Sequence, residues 1–294
     1  MRYKIALPVM LCAAFAGCNL MRHGPLDPAL TAFIPPDTVV LSGVHMDQIR
    51  AAPLYRKLAA QNRLPRFDEF PAEAGFDPQR DVNEVMLASD GNRVLAAARG
   101  DFKGKRPRAL QPTPYKSYQL FIKDDRTAIA YLDDHTVLGG SHVAVRAAID
   151  QWSTHSGSGP ADLLARVRAL PADAQIWAVA LGWKGASAAT LRQMGNAANL
   201  DRLLRSVEAA SLTVDFRAGV HAAATGNCRT DAEAKTLSDQ LRGFAGLARL
   251  SVPKNRPELL RVFDGIRVAQ EGQLVKLNID VPEDLAEQLV NQGQ

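Results

Sequence analysis

The sequence contains few of the features that usually indicate a chemistry. Its 294 residues include three cysteines, and aromatic residues make up 6 %. Beyond the N-terminus, no apolar run reaches the roughly 18 residues that a transmembrane helix requires. Hydrophobic residues account for 47 % and charged residues for 22 %, which is ordinary for a globular protein. The net charge of +4 is small for this length and gives no support for a nucleic-acid partner.

Catalytic and cofactor motifs are also missing. The glycines at 157–159 and 139–140 have neither the G-x-G-x-x-G nor the P-loop spacing, which argues against nucleotide binding. Ser141 does not lie in a G-x-S-x-G elbow, and a helix cap explains it. Cys228 follows His221 by seven residues without a Cys-x-x-Cys or papain-like context, so we predict an inert thiol. The sequence therefore predicts a protein that is not an enzyme and has no cofactor.

Two acidic pairs are the best candidates for a metal or acid–base site. Asp124-Asp125 and Asp133-Asp134 lie near His135 and His142. Carboxylate oxygens and imidazole nitrogens can bind divalent cations. The spacing, however, matches no HExxH, zinc-finger or EF-hand pattern, and paired acids between strands are typical of β-turns. We predict turns at both pairs and no metal site.

The N-terminus carries the strongest signal in the chain. Arg2 and Lys4 precede an apolar stretch, Ile5 to Ala16, that is too short to cross a bilayer, and Cys18 follows directly after Gly17. This pattern resembles a bacterial lipobox, with the difference that position 15 is Phe where an aliphatic residue is usual.

The lipobox resemblance implies a location for the protein. Cleavage before Cys18 would be accompanied by a thioether-linked diacylglycerol and usually a third acyl chain on that residue, and several chains anchor a protein firmly. In Gram-negative lipoproteins, Asp after the lipidated cysteine favours retention in the inner membrane. Here the residue is Asn19, which favours the periplasmic face of the outer membrane. Loss of Arg2 and Lys4 with the leader lowers the net charge from +4 to +2.

Ordinary secretion is the alternative interpretation of the same segment. Ala14-Phe15-Ala16 also fits the small-x-small pattern that precedes cleavage before Gly17. In that case Cys18 and Cys228 could form a disulfide. If Cys18 is lipidated and Cys12 leaves with the leader, Cys228 remains alone and the core must hold the fold together without a disulfide.

The rest of the chain shows one pattern twice. A Pro-x-Asp turn precedes an apolar run and a helical segment at 35–61, and again at 171–198. Each half continues with a hairpin, through Asp90-Gly91-Asn92 and through Arg217-Ala218-Gly219, and then with further strands and a closing helix. Strands mixed with helices without a βαβ rhythm predict an α+β fold of two similar modules, each an antiparallel sheet covered by helices.

These patterns divide the chain into five segments. They are a signal peptide at 1–17, a tether at 18–30, a first module at 31–152, a linker at 153–160 and a second module at 161–294. The mature part loosely resembles exported bacterial proteins of unknown function, a resemblance that implies no activity.

A long amphipathic helix distinguishes the second half. Thr230 and Glu233 form the capping box that begins it, and apolar residues then recur at helical spacing. The positions predicted to be buried are Ala234, Leu237, Leu241, Phe244, Leu247 and Ala248.

A proline-rich basic loop occupies the corresponding place in the first half. Its cations are Lys103, Lys105, Arg106 and Arg108. They could lie against anionic lipid headgroups close to the anchor. The alternative is a solvated connector whose charges keep a sheet edge soluble.

Two tryptophans are candidates for ligand contact. Trp177 and Trp183 are six residues apart, so on one strand they would face the same side of the sheet. They would either pack in the core or line a hydrophobic groove for a lipid or peptide.

Together these features predict a lipid-anchored envelope lipoprotein with a non-catalytic binding or scaffolding role. Its partners would be membrane lipid and an envelope protein, with no nucleic acid or nucleotide. The first alternative is a periplasmic carrier or sensor of a small apolar ligand held between the modules. A hydrolase of unknown type is third, since it would need acids or histidines that converge in one cleft.

Overall fold

The computed structural model describes residues 24–61, 74–154, 159–182 and 205–292, which together form twelve strands and nine helices. Cys18, Trp183, half of the predicted linker (155–158) and the helix predicted near 188–198 lie outside these ranges. Within them, no helix is both long and apolar enough to span a membrane.

The strands follow one another along the chain in this order: β1 (Val40–His45), β2 (Val82–Ser89), β3 (Val94–Gly100), β4 (Pro112–Tyr115), β5 (Tyr118–Asp124), β6 (Thr127–Tyr131), β7 (Thr136–Gly140), β8 (Ile176–Leu181), β9 (Val207–Asp215), β10 (Val220–Cys228), β11 (Ile266–Glu271) and β12 (Leu274–Val281).

The helices are α1 (Pro28–Thr31), α2 (Met46–Ala51), α3 (Pro53–Ala60), α4 (Pro78–Asp81), α5 (His142–Thr154), α6 (Ala161–Arg168), α7 (Asp231–Leu250), α8 (Glu258–Asp264) and α9 (Glu283–Gln292).

All twelve strands belong to one antiparallel sheet. Its order is β11-β12-β10-β9-β8-β1-β2-β3-β7-β6-β5-β4. The predicted mixture of helices with antiparallel strands is thus confirmed. The two expected sheets, however, are joined edge to edge, because β1 pairs with β8 in register from Val40 opposite Ala180 to Val44 opposite Ile176. From this junction the strand order runs outward as β1-β2-β3-β7-β6 on one side and β8-β9-β10-β12-β11 on the other.

Both predicted hairpins are confirmed, and local chemistry explains them. The Asp90 carboxylate accepts the backbone N–H groups of Asn92 and Arg93 at 2.8 and 2.7 Å, which closes the turn between β2 and β3. Gly219 closes the turn between β9 and β10 with a φ of +106°. A side chain at that position would collide with the Val281 carbonyl, so only glycine fits.

The main core lies on one side of the sheet, which we call the core face. Helices α1, α5 and α6 cover this face over the central strands and the first half of the chain. The largest side chains buried there are Phe33, Leu41, Met86, Leu138, Ile149, Leu163 and Trp177. The opposite side, which carries Val44, Leu87 and Leu212, is called the groove face below.

The N-terminal segment is part of the fold from Gly24 onward. A side chain at Gly24 would collide with the Val167 carbonyl of α6, so the two backbones are in close contact. Leu30 and Ile34 are fully buried in the core. The segment predicted as a tether at 18–30 therefore packs onto the domain over its second half, because Leu26 and Leu30 are buried in the main core.

The stripe predicted to be buried on α7 is buried only at its N-terminal end. Ala234 and Leu237 pack against Val275 of β12 in a small core. Phe244, Leu247 and Ala248 are exposed, and so the prediction is wrong for them. Helical periodicity identifies which residues lie on the same side of a helix. How many of them are buried depends on how far the neighbouring sheet extends along that helix.

Candidate binding face

The groove face is apolar across the whole width of the sheet. Each residue in a cross-strand row lies opposite the next, so a row shows what one line across the sheet contains. The row through the centre crosses all twelve strands and contains one polar residue, Ser42. In order it is Val268, Leu277, Ala224, Leu212, Ala178, Ser42, Leu87, Ala96, Gly139, Ile129, Phe121 and Pro112.

The adjacent row repeats this composition over ten strands. Its members are Ile266, Ile279, Ala222, Val214, Ile176, Val44, Val85, Ala98, Val137 and Tyr131. Alanine recurs in both rows, Gly139 lies in the first, and small side chains leave depressions where neighbouring elements rise above the sheet.

The first depression, groove 1, lies over β2, β3, β6 and β7 and has a volume of about 380 Å³. Its floor includes Leu87, Ala96, Ala98 and Gly139. Leu87 is 39 % exposed, which is high for a leucine in the middle of a sheet. The groove can therefore be reached from solvent and is lined mainly by hydrocarbon.

An aromatic cluster forms the wall at one end of groove 1. The rings of Phe76 and Phe102 meet edge to face at 4.9 Å, and Phe102 contacts Tyr131 at 6.2 Å in the same way. The Tyr131 hydroxyl donates a hydrogen bond to the Ala74 carbonyl. Burial raises the pKa of Tyr131 to about 12, so this donor stays protonated at neutral pH and the wall is fixed.

The second depression, groove 2, lies beside α7 and has a volume of about 290 Å³. Ala178, Ala210 and Gly226 form its floor, and Leu237 and Leu241 of α7 form its wall. The two grooves open on the same face, with β1 between the strands that line them, and Leu212 in the lining of groove 2 is 37 % exposed. The arrangement can hold apolar molecules, since the described lining of both grooves is mainly hydrocarbon.

The tryptophans do not contribute to these grooves in the way the sequence suggested. Trp177 is fully buried on the core face, where its indole packs against Gly43. It lines neither groove 1 nor groove 2. Trp183 lies outside the described residues. Of the two predicted alternatives, Trp177 packs in the core and does not line a groove.

Two of the four cations in the basic loop have internal partners. Lys105 forms an ion pair with Asp81 at 2.6 Å, and the Arg106 guanidinium lies 4.5 Å from the centre of the Tyr131 ring. Lys103 and Arg108 are exposed. A contact between this loop and lipid headgroups would therefore depend on these two residues.

The acidic pairs are turns at opposite ends of β6. Asp124 accepts the Arg126 N–H at 2.8 Å in one turn, and Asp133 accepts the His135 N–H at 2.7 Å in the other. The strand between them keeps the pairs apart, and His142 begins α5. Among the described residues, no group of three or more His, Cys, Asp or Glu side chains is placed to hold a metal ion.

Cys228 and His221 have separate environments. Cys228 is buried, and this burial raises the pKa of its thiol. His221 lies 2.8 Å from the Asp280 carboxylate, which raises the pKa of the imidazole. The two residues occupy opposite ends of β10, so they form no nucleophile–base pair.

A polar cluster that the sequence analysis missed lies where β1 and β2 meet the N-terminal segment. Glu84 is buried and accepts the Asp27 N–H at 3.2 Å, while His45 Nε2 lies 2.6 Å from the Pro25 carbonyl oxygen. Arg99 binds the Asp27 carboxylate at 3.2 Å. Burial is the main cause that raises the pKa of Glu84. The sequence did contain a sign of this cluster. Glu84 lies between Val82 and Met86 on a strand whose alternate residues are buried, so the alternation places a charged residue on the buried side.

Comparison with known proteins identifies a shared fold. No protein-family model matches the chain, and no curated protein sequence matches it significantly. Solved structures of TP0453 do match. Its crystal form III is 8 % identical, with a TM-score of 0.50 over 90 % of this chain and 98 % of that one. Crystal form I is 10 % identical, with a TM-score of 0.48 over 90 % and 97 % of the two chains. At such identities the similarity concerns the fold alone.

Proposed function

We propose that this chain is a lipid-anchored protein of the bacterial envelope that binds an apolar ligand on its groove face, without catalysis. The observation that carries the proposal is the part of the apolar rows that stays exposed between the buried clusters of the groove face. Single exposed hydrophobic residues are common on proteins, but large contiguous apolar patches mark binding surfaces. Here Leu87 and Leu212 are partly exposed in one row, joined through Ser42 and Ala178.

The N-terminal anchor belongs to the same proposal. Its basis is the lipobox-like sequence that ends at Cys18, and with Asn19 it favours the periplasmic face of the outer membrane. Five residues separate Cys18 from Gly24, where the chain is already packed against α6. Six peptide steps reach at most about 20 Å, so an anchor at Cys18 would hold the domain close to the bilayer surface. Lys103 and Arg108 are the cations of the basic loop that we propose to contact anionic headgroups there.

We also propose that the fold consists of two similar modules. The support is the matching strand order on either side of the β1–β8 junction. In each direction a hairpin follows the junction strand, and the next strand outward is the last strand of its half, β7 or β12. Groove 1 and groove 2 then occupy related places in the two halves.

The test of apolar binding uses the chain from residue 18 with Cys18→Ser, so that it can be purified without detergent. Binding of an environment-sensitive apolar dye is measured by fluorescence titration. Gly139→Leu fills groove 1 and Gly226→Leu fills groove 2, since a Cβ at either position meets only ordinary van der Waals neighbours. Ala165→Leu introduces the same side chain at an exposed position on α6 and is the matched control.

We expect each filling variant to lose part of the dye binding, the double variant to lose most of it, and the control to match the parent. Unchanged binding in the double variant, with its melting temperature preserved, would contradict apolar binding on this face.

Scaffolding of an envelope protein is the second candidate, and the exposed end of α7 favours it. Phe244, Leu247 and Leu250 are exposed there, the last two by 63 % and 84 %. A photo-crosslinking amino acid at Leu247 in the producing bacterium should yield one product of discrete mass if a protein covers this end. The same group at exposed Ala165 serves as control, and equal labelling from both sites would refute a specific contact.

A further inference from the structure

We infer that His45 and Glu84 form a proton-dependent clamp on the N-terminal segment. A single proton held between their side chains fixes residues 25–27 against β1 and β2, and loss of that proton as the pH rises loosens the segment. The effect of the clamp on the reach of a lipid anchor rests on the proposed function, whereas the clamp itself does not.

Both side chains of the clamp contact the backbone of the N-terminal segment. His45 and Glu84 lie directly opposite each other on β1 and β2. The His45 Nε2 lies 2.6 Å from the Pro25 carbonyl oxygen, and Glu84 Oε1 accepts the Asp27 N–H at 3.2 Å. A change in the protonation of either side chain therefore acts directly on residues 25–27.

The contact with Pro25 determines which nitrogen of the imidazole carries the hydrogen. A carbonyl oxygen can only accept, so Nε2 must donate, and in the neutral ring Nδ1 then has no hydrogen. This Nδ1 faces Glu84 Oε2 at 3.9 Å. Without a proton on either group, a lone pair of His45 faces the Glu84 carboxylate and the two repel each other. One proton, on Nδ1 or on Oε2, makes the contact attractive.

Burial increases the effect of this proton. The side chains of His45 and Glu84 are 11 % and 10 % exposed, so little water is present to solvate a carboxylate that lacks a donor. Burial also raises the pKa of Glu84, which favours the protonated pair. A group whose pKa is raised stabilises the fold at acid pH and loses this contribution as the pH rises. The clamp should therefore be firm at mildly acid pH and weaker at alkaline pH.

Other charged groups around the pair favour the same proton. They line a cavity of about 280 Å³ beside it and are Asp27, Asp47, Arg99 and His135. Burial is the main cause of the raised pKa of Glu84, and the negative charges of Asp27 and Asp47 raise it further. Arg99 binds the Asp27 carboxylate, and the His135 Nδ1 lies 3.1 Å from a backbone carbonyl oxygen. Both cationic or basic groups are thus engaged away from the pair.

An open clamp would lengthen the tether between the anchor and the domain. Gly24, which contacts α6, lies six peptide steps from Cys18, whereas α1 begins at Pro28, ten steps from it. Ten steps reach at most about 35 Å, compared with about 20 Å for six. An anchored domain would therefore extend further from the bilayer at alkaline pH.

The experiment measures hydrogen–deuterium exchange of the Cys18→Ser chain by mass spectrometry. It compares about pH 5 with about pH 8, a window in which ordinary carboxylates, lysines and arginines keep their charges. Exchange rates are corrected for the intrinsic effect of pH on amide exchange. The readout is the protection of a peptide that contains Leu26 and Asp27, and a peptide over 136–149, in β7 and α5, is the internal control.

Two variants assign any pH effect to the pair. Glu84→Gln places a non-titrating amide N–H opposite the His45 Nδ1 and keeps an acceptor for the Asp27 N–H. His135→Gln is the matched control, because it removes the second histidine that lines the same cavity.

We expect protection of the N-terminal peptide in the parent to fall about tenfold between the two pH values, as one lost buried hydrogen bond implies. His135→Gln should show the same fall. Glu84→Gln should keep its protection at the higher pH, and the peptide over 136–149 should be unchanged in all three proteins.

The inference would be overturned if the N-terminal peptide of the parent is equally protected at both pH values, or if Glu84→Gln loses protection as the parent does. A parallel fall in the peptide over 136–149 would also overturn it, because the change would then be a general loss of stability. Each of these results would leave apolar binding and the anchor intact. An unmodified Cys18 in the producing bacterium would exclude the anchor but leave the clamp intact.

Discussion

Asp27 stabilises the N-terminal segment through two separate interactions, and different substitutions at this position can distinguish their contributions. Its carboxylate accepts the Ala29 N–H at 2.8 Å and so caps α1, and it also forms the 3.2 Å ion pair with Arg99. A lost cap costs about 1 kcal/mol. The ion pair contributes at most about 1 kcal/mol, because the two side chains are 38 % and 32 % exposed and solvent screens them.

We therefore expect Asp27→Ala to lower the free energy of unfolding by about 1–2 kcal/mol. Asp27→Asn should lose no more than about half of that, since asparagine is as good a cap as aspartate but carries no charge. Urea denaturation at neutral pH and low salt measures both values. In 1 M salt the difference between Asp27→Asn and the parent should shrink, because ion pairs are screened while caps are not.

Asp37 provides the control. It pairs with Arg93 at 2.8 Å on the surface, where both side chains are about half exposed, so Asp37→Ala should cost about 0–0.5 kcal/mol. The reasoning would be refuted if Asp27→Asn were as destabilising as Asp27→Ala, since the charge would then matter and the cap would not.

Two further outcomes follow from the same region. Glu84 has a raised pKa, so its protonated form stabilises the fold at acid pH, and this contribution is lost as the pH rises through the raised pKa. Glu84→Gln should therefore raise the free energy of unfolding at pH 7 but not below about pH 4. Equal free energies of unfolding for the variant and the parent at pH 7 would contradict this. Cys18→Ala should remove a diacylglycerol mass and shift the protein to the aqueous phase in detergent partition, whereas an unmodified parent chain that begins at Gly17 would exclude the anchor.

The parts of the fold that the sequence predicted correctly depend on neighbouring residues. The turn at Asp90-Gly91-Asn92 is decided within four positions, because a carboxylate caps the backbone and glycine accepts a φ of +97°. The capping box at Thr230 is equally local, and its hydroxyl accepts the Glu233 N–H at 3.2 Å.

The parts that the sequence did not predict depend on residues far apart in the chain. The β1–β8 junction brings Gly43 opposite Trp177, and no local pattern specifies which edge strands will meet. Groove 1 likewise combines β2, β6 and the segment near Phe76, so its depth follows from tertiary packing. Trp177 was a candidate for ligand contact because of its place on an apolar strand, but its large side chain fills the core, and alanine and glycine form the floors of the grooves.

The groove face exposes two large apolar side chains in the middle of the sheet, Leu87 and Leu212, and this exposure supports a binding role. An antiparallel sheet usually has one face toward water, with polar side chains at alternate positions. The edges here are protected in the usual ways: β4 contains Pro112 and Pro114, and Arg242 donates to the Val268 carbonyl of β11 at 3.0 Å. The edges of the sheet are thus protected from pairing, whereas Leu87 and Leu212 in central strands are partly exposed. This exposure requires an explanation. A bound hydrocarbon would supply that explanation, since it would cover the partly exposed leucines in the middle of the face.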